Sequence, residues 1–144
     1  MGTNSPYFPN NVNSDEEAIV YLGSMVASLM NQTYVAKTGD PITLTATEMV
    51  GGVVNVSGGA TATVNTATAA AIIARMQALD ANAGVGSTAQ FSLINGNSNT
   101  MTVAAGDGDV TLVGAGATTL LTTVVRRYQI KILTATTVSM TVTA

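Results

Sequence analysis

Ile42-Thr43-Leu44-Thr45-Ala46-Thr47 alternates apolar side chains with threonines. That period of two puts the apolar groups on one face of an extended strand and the hydroxyls on the other. Downstream the pattern stays short. Gly51 and Gly52 break the first strand, and Val53, Val54 and Val56 make a second. Gly58 and Gly59 turn into Thr61, Thr63 and Val64. One helix interrupts the series: Thr66 or Thr68 caps it, Ile72, Ile73, Met76 and Leu79 give its buried face, and Gly84 and Gly86 close it. Phe91, Leu93 and Ile94 then lead into Asn95-Gly96-Asn97, and Thr100 to Val103 return, which predicts a hairpin whose turn takes positive φ. Further strands are expected near 110–113, 119–133 and 136–143. In the long one, Arg127, Gln129 and Lys131 share one face and Tyr128, Ile130 and Ile132 the other. About eight short strands, no βαβ rhythm and no repeat of fixed period predict a mainly β chain, an antiparallel β-sandwich or jelly-roll-like domain with one inserted helix.

Upstream of this domain the character differs. Residues 1–13 contain Pro6, Pro9 and a run of Asn, and read as an extended arm. Ser14 with Glu17 forms a capping box, and Asp15 and Glu16 suit the positive end of a helix dipole. Ile19, Leu22, Val26 and Leu29 follow at spacings of three, four and three, an apolar stripe on a helix about 25 Å long. Gly39, Asp40 and Pro41 end the linker. Residues 1–41 are therefore expected to attach or oligomerise the protein, and residues 42–144 to form the β-sandwich domain.

Composition removes several chemistries. The 144-residue chain has neither Cys nor His, so Ser-His-Asp and Cys-His catalysis, disulfides and thiolate metal sites are excluded. It has no Trp and few aromatics, which disfavours stacking platforms for bases or sugars. Charged residues are 9% of the chain, against about 25% in an ordinary domain. With a hydrophobic fraction of 47% and a mean hydropathy of +0.37, this points to a surface covered by partners. A surface of Thr, Ser, Asn and Gly is the plainer alternative. The net charge of −3 does not favour nucleic acid. Nothing resembles a targeting segment, and Thr, Asn and Gly interrupt every apolar run that could span a bilayer. The protein is expected to stay where it is made.

Few residues stand out as chemistry. Asp107-Gly108-Asp109 is a carboxylate pair in a Gly-rich loop; calcium needs six to eight oxygens, and a tight turn explains it. Gly114 and Gly116 do not lie between a strand and a helix, as a phosphate loop would require. Asp15, Glu16 and Glu17 point in different directions on a helix, so capping accounts for them better than catalysis. Arg126, Arg127 and Lys131 are either solvated charge or a contact for nucleic acid or an acidic protein surface, and the small size of the cluster favours protein over nucleic acid. The stripe Ile19, Leu22, Val26 and Leu29 is either core or a seam between subunits. No catalytic residue, metal or cofactor is expected; a glycosidase would need two carboxylates facing across a cleft.

Residues 42–144 resemble a family of small β-sandwich virion proteins of tailed phages and large algal viruses. The resemblance runs through Ile42-Thr43-Leu44-Thr45-Ala46, Gly51-Gly52-Val53-Val54, the Thr/Ala-rich helix start at 66–71, Val85-Gly86 and Phe91-Ser92-Leu93-Ile94-Asn95. It ends with Thr102-Val103-Ala104-Ala105-Gly106 and Thr111-Leu112-Val113-Gly114. Members of that family often carry Pro just before the helix, where this chain has Asn65-Thr66. The resemblance implies a structural role in the virion. The foremost expectation is a homotrimeric capsid decoration (cement) protein, made in the host cytoplasm and held on the particle surface by the major capsid protein or other virion proteins. The alternative is a receptor- or carbohydrate-binding module of a phage tail appendage.

Overall fold

The computed structural model describes residues 32–58 and 61–143, within a compact unit that runs from Thr33 to Ala144. Among the described residues the chain is mainly β. Ten strands and two helices follow in the order β1 (Tyr34–Lys37), β2 (Ile42–Thr43), α1 (Ala46–Met49), β3 (Val53–Val56), β4 (Thr63–Asn65), α2 (Ala69–Leu79), β5 (Thr88–Asn95), β6 (Met101–Ala104), β7 (Val110–Val113), β8 (Thr119–Leu120), β9 (Val125–Ile132) and β10 (Val138–Thr143).

The strands form a six-stranded sheet, ordered β1-β3-β5-β9-β10-β7, and a four-stranded sheet, ordered β2-β4-β6-β8. Successive strands from β1 to β9 alternate between the two sheets. Because each passage returns in the same direction, neighbours within a sheet run parallel: β1 with β3, β3 with β5, β2 with β4, and β4 with β6. The β7–β10 pair is parallel as well. Antiparallel pairing is confined to β5–β9, β9–β10 and β6–β8. The sheets are therefore mixed, and the expectation of an antiparallel domain is corrected. Polar and apolar alternation along a strand specifies which face is buried, not the direction of the neighbour.

The opening stretch is corrected too. Only Ile42 and Thr43 are strand. The Thr45 hydroxyl accepts the amide of Glu48, and the Glu48 carboxylate accepts the amide of Thr45 at 2.7 Å. This reciprocal capping box starts α1 and turns residues 46–49 away from the sheet. The four-residue motif was present in the alternating stretch and prevailed over its period of two. In α2, Thr68 is the N-cap, its hydroxyl accepting the amide of Ala71. Ile72, Ile73 and Met76 are buried as expected, but Leu79 is 59% exposed.

Asn95-Gly96-Asn97 is not a hairpin turn, because β5 and β6 belong to different sheets. Neither Asn95 nor Gly96 has positive φ. The segment is an arch. The chain passes close to β3 at Gly96: its amide donates to the Val56 carbonyl at 2.8 Å, and a Cβ there would press on Asn55 Oδ1 at 2.9 Å and on the Val56 carbonyl oxygen at 3.2 Å. The long strand expected over 119–133 is likewise two strands in two sheets. The chain turns at 121–124, where Thr123 takes a φ of 58°.

One core cluster draws on both sheets. Ile42, Val64, Val103, Met101 and Leu120 come from the smaller sheet, and Val54, Leu93, Ile130, Val138 and Met140 from the larger. Ile72 and Met76 of α2 join them. Phe91 and Tyr128 stack in adjacent strands with ring centroids 5.3 Å apart. A buried aliphatic side chain contributes roughly 1.5–3 kcal/mol, so this cluster is the main source of the unit's stability, in a chain without cysteine.

The strand β1 lies inside the stretch read as linker. It pairs with β3 over four residues, from Tyr34 with Val53 to Lys37 with Val56. A chain beginning at residue 33 should fold, whereas one beginning at residue 42 should melt at a clearly lower temperature, because it loses a strand and uncovers β3. Circular dichroism melts of the two chains check this; equal melting temperatures would show that β1 contributes no stability.

Candidate interaction surface

Several titratable side chains among the described residues serve the fold. Lys37 lies on the inward face of β1. Its ammonium donates to the Thr43 carbonyl at 2.8 Å and pairs with the Glu48 carboxylate at 2.8 Å. One side chain thereby ties β1, β2 and α1 together. Burial pushes the Glu48 carboxyl up, but the hydrogen bonds from Lys37 and Thr45 and the Lys37 charge outweigh it, leaving the group below its ordinary value. Asp107 uses both oxygens: one accepts the amide of Ala69 at the start of α2, the other the amide of Asp109, each at 3.1 Å. The amide of Gly106 donates to the Thr66 hydroxyl at 2.8 Å, closing the same junction. No three His, Cys, Asp or Glu side chains gather as a metal site among the described residues.

Tyr128 is wholly buried and donates its hydroxyl to the Ala117 carbonyl at 3.2 Å. Burial raises its pKa from 10.0 to about 12, against a downward pull from Arg126. The phenol is thus a neutral structural donor over the physiological range.

The least expected polar element is Asn95, which is fully buried at the end of β5. Its side-chain amide donates to the carbonyls of Asn99, Leu120 and Leu121 at 2.9–3.1 Å, and its Oδ1 accepts the amide of Asn97 at 3.0 Å. Its backbone bonds Thr123 and Val124. One residue therefore satisfies the arch after β5 and the turn after β8. The sequence signal was Asn next to Gly, read as a hairpin turn; its burial could not be read from spacing.

The basic residues separate. Arg127 and Lys131 lie on the outward face of β9 with Gln129 between them, as the period of two predicted. Arg126 lies on the opposite face, with Tyr128. It donates to the carbonyls of Gly116 and Thr119, the latter at 2.8 Å, and so fastens the loop before β8. Its guanidinium serves the fold, and the surface pair is Arg127 and Lys131 alone. The stripe residues Ile19, Leu22, Val26 and Leu29, and the capped helix they belong to, lie outside the described residues.

The register places Arg127 between Ser92 and Thr143, Gln129 between Gln90 and Thr141, and Lys131 between Thr88 and Ser139. The centre of this face is a carpet of hydroxyls and carboxamides carrying two cations and no acid. Such a surface offers donors and positive charge to a flat partner, and no cleft in which a reaction could be enclosed.

Two outcomes are expected. Asn95→Ala should destabilise the protein by about 3 kcal/mol, since it leaves several buried carbonyls without donors; a urea titration measures it, and a change under about 0.5 kcal/mol would refute this role. Glu48 holds fewer protons folded than unfolded, so its contribution is complete above its unfolded value near 4.5 and is lost as pH falls through the lower folded value. Glu48→Gln should therefore lower stability at pH 7 by about 1–3 kcal/mol and flatten the acid limb of a stability–pH curve; an unchanged acid limb would contradict it. Comparison of the chain with protein-family models, curated proteins and solved structures finds no match.

Proposed function

We propose that this protein is a structural component of a virus particle, a capsid decoration protein that stabilises the shell through protein–protein contacts. The observation that carries the reading is the outward face of the six-stranded sheet. Its centre, over β5, β9 and β10, is mostly Thr, Ser and Gln, with Ile94 and Val125 at one end, and the charges there are Arg127 and Lys131 without an acid among them. A face of that kind suits an acidic protein surface, such as that of a major capsid protein, met over a wide area by many weak contacts. The resemblance of residues 42–144 to virion β-sandwich proteins supports the same reading. So does the way the charged groups Lys37, Glu48, Asp107 and Arg126 are consumed by the fold, which leaves little for catalysis. On this reading the two sheets act as a sandwich that presents one face to the shell, and the work is mechanical.

Electron microscopy of the native particle tests it directly: density for this chain on the capsid surface is expected, and its absence from the particle overturns the proposal. The face is tested by Arg127→Glu with Lys131→Glu. The doubly substituted protein should keep its melting temperature, because both side chains are outward. It should bind particles stripped of this chain at least about tenfold more weakly, a loss of about 1.4 kcal/mol. Undiminished co-sedimentation would show that another surface attaches the protein.

A further inference from the structure

We infer that β7 is an open edge through which two copies of this chain join their six-stranded sheets by antiparallel pairing. The two sheets have four edge strands among the described residues: β1 and β7 in one, β2 and β8 in the other. Three are blunted in recognised ways. Strands β2 and β8 are two residues long, and Pro41 stands directly before β2. Strand β1 carries the inward-pointing Lys37, held by Thr43 and Glu48. Strand β7, Val110-Thr111-Leu112-Val113, has none of these devices: no charge, no proline, and three of its four residues, Val110, Thr111 and Val113, have strong β propensity.

The ladder fixes which groups are offered. The amide of Val138 donates to the Asp109 carbonyl at 3.0 Å, so residues 109, 111 and 113 bond toward β10. By alternation Leu112 turns both its N–H and its C=O to the open side, where no described strand pairs with it. Its side chain points inward and is half-buried against the core, while Val113 on the outer face is 42% exposed.

A second copy fits this edge without conflict. A two-fold axis at Leu112 makes the two Leu112 residues a hydrogen-bonded pair, with each donating to and accepting from the other. Thr111 then faces Val113 of the second copy on the outer surface, an apolar partner for an exposed valine. Asp109 lies in the turn before the strand and the chain turns away at Gly114, φ 97°, so the paired residues themselves bring no charge against another. The strand is thus self-complementary in backbone, shape and charge, and the result is a continuous sheet of twelve strands. The contact is two-fold and yields even-numbered species, whether from single chains or from the trimers that the resemblance implies. It does not depend on the decoration reading: a chain that pairs at β7 yet is missing from particles overturns that reading alone.

The absence of cysteine from the chain makes the test clean. Thr111 and Val113 of the second copy form a non-hydrogen-bonded pair about 4.5 Å apart between Cα atoms, within disulfide reach. Two Thr111 residues, or two Val113 residues, lie about 8 Å apart from the strand spacing and rise, which is beyond it. Mild oxidation of full-length Thr111→Cys mixed with full-length Val113→Cys should give a disulfide-linked dimer that neither protein gives alone. In sedimentation velocity, Thr111→Lys with Val113→Lys sets lysine against lysine and should raise the dimer dissociation constant by at least about tenfold. Thr111→Lys with Val113→Glu sets lysine against glutamate and should restore it. Melting temperatures near the parent's establish that each variant is folded. A monomer at all concentrations, cross-linking that does not require the mixture, or a lysine–lysine variant that associates like the parent would each overturn the pairing.

Discussion

The buried carboxamide of Asn95 is where the two sheets are held to one another. A chain that alternates between sheets must pass its backbone through the rim of the core at every crossing, and each passage strands peptide groups that no ladder satisfies. Asn95 answers for the crossing after β5 by donating to the Asn99 carbonyl and accepting the Asn97 amide, and for the turn after β8 by sharing its two N–H groups with the carbonyls of Leu120 and Leu121. A carboxamide suits this place because it both donates and accepts without charge. A carboxylate would lose the donors and bring a buried charge. Similar tasks fall to Thr66 and Asp107 at the junction with α2, and to Lys37 at the first arch.

This explains the distribution of charge. A chain with so few ionisable side chains uses most of the described ones as internal fastenings. Arg126 is the plainest case: it stands one residue from Arg127, yet the pleat turns it inward to the carbonyls of Gly116 and Thr119. What remains at the centre of the larger sheet's outer face is a set of hydroxyls and amides carrying the positive charges of Arg127 and Lys131. The sparse composition is thus a property of the interior wiring as well as of the surface.

Much of the secondary structure was legible. Strands β3, β7 and β10, helix α2 and the two faces of β9 follow from periods of two and 3.6, which report local burial. Direction and partner were not legible, because alternation is the same in parallel and antiparallel strands. The stacking of β1, β3 and β5 also left no periodic trace. Its steps are 19 and then 39 residues, since a short helix occupies the first gap and the eleven-residue α2 the second. Two readings failed for definable reasons. The Thr45–Glu48 box lay hidden inside an alternating stretch, and Asn95-Gly96 was assigned by its commonest use. Of the candidate site, the outward placement of Arg127 and Lys131 was readable, and the inward role of Arg126 was hidden by a loop that only the fold brings near.

The alternation of strands between sheets also dictates how the chain must find its native state. Among the described strands, only β9 and β10 are neighbours both in the sequence and in a sheet. Every other ladder joins segments separated by at least one intervening strand, and β5 with β9 by three. Each such ladder has to close a long loop before its contacts return any free energy. A topology so poor in local pairs belongs with slow folders, in the range of milliseconds to seconds. The hairpin over residues 125–143 is then the natural nucleus. It is the one ladder among the described strands that can form without waiting for a distant segment, and it offers one side to β5 and the other to β7.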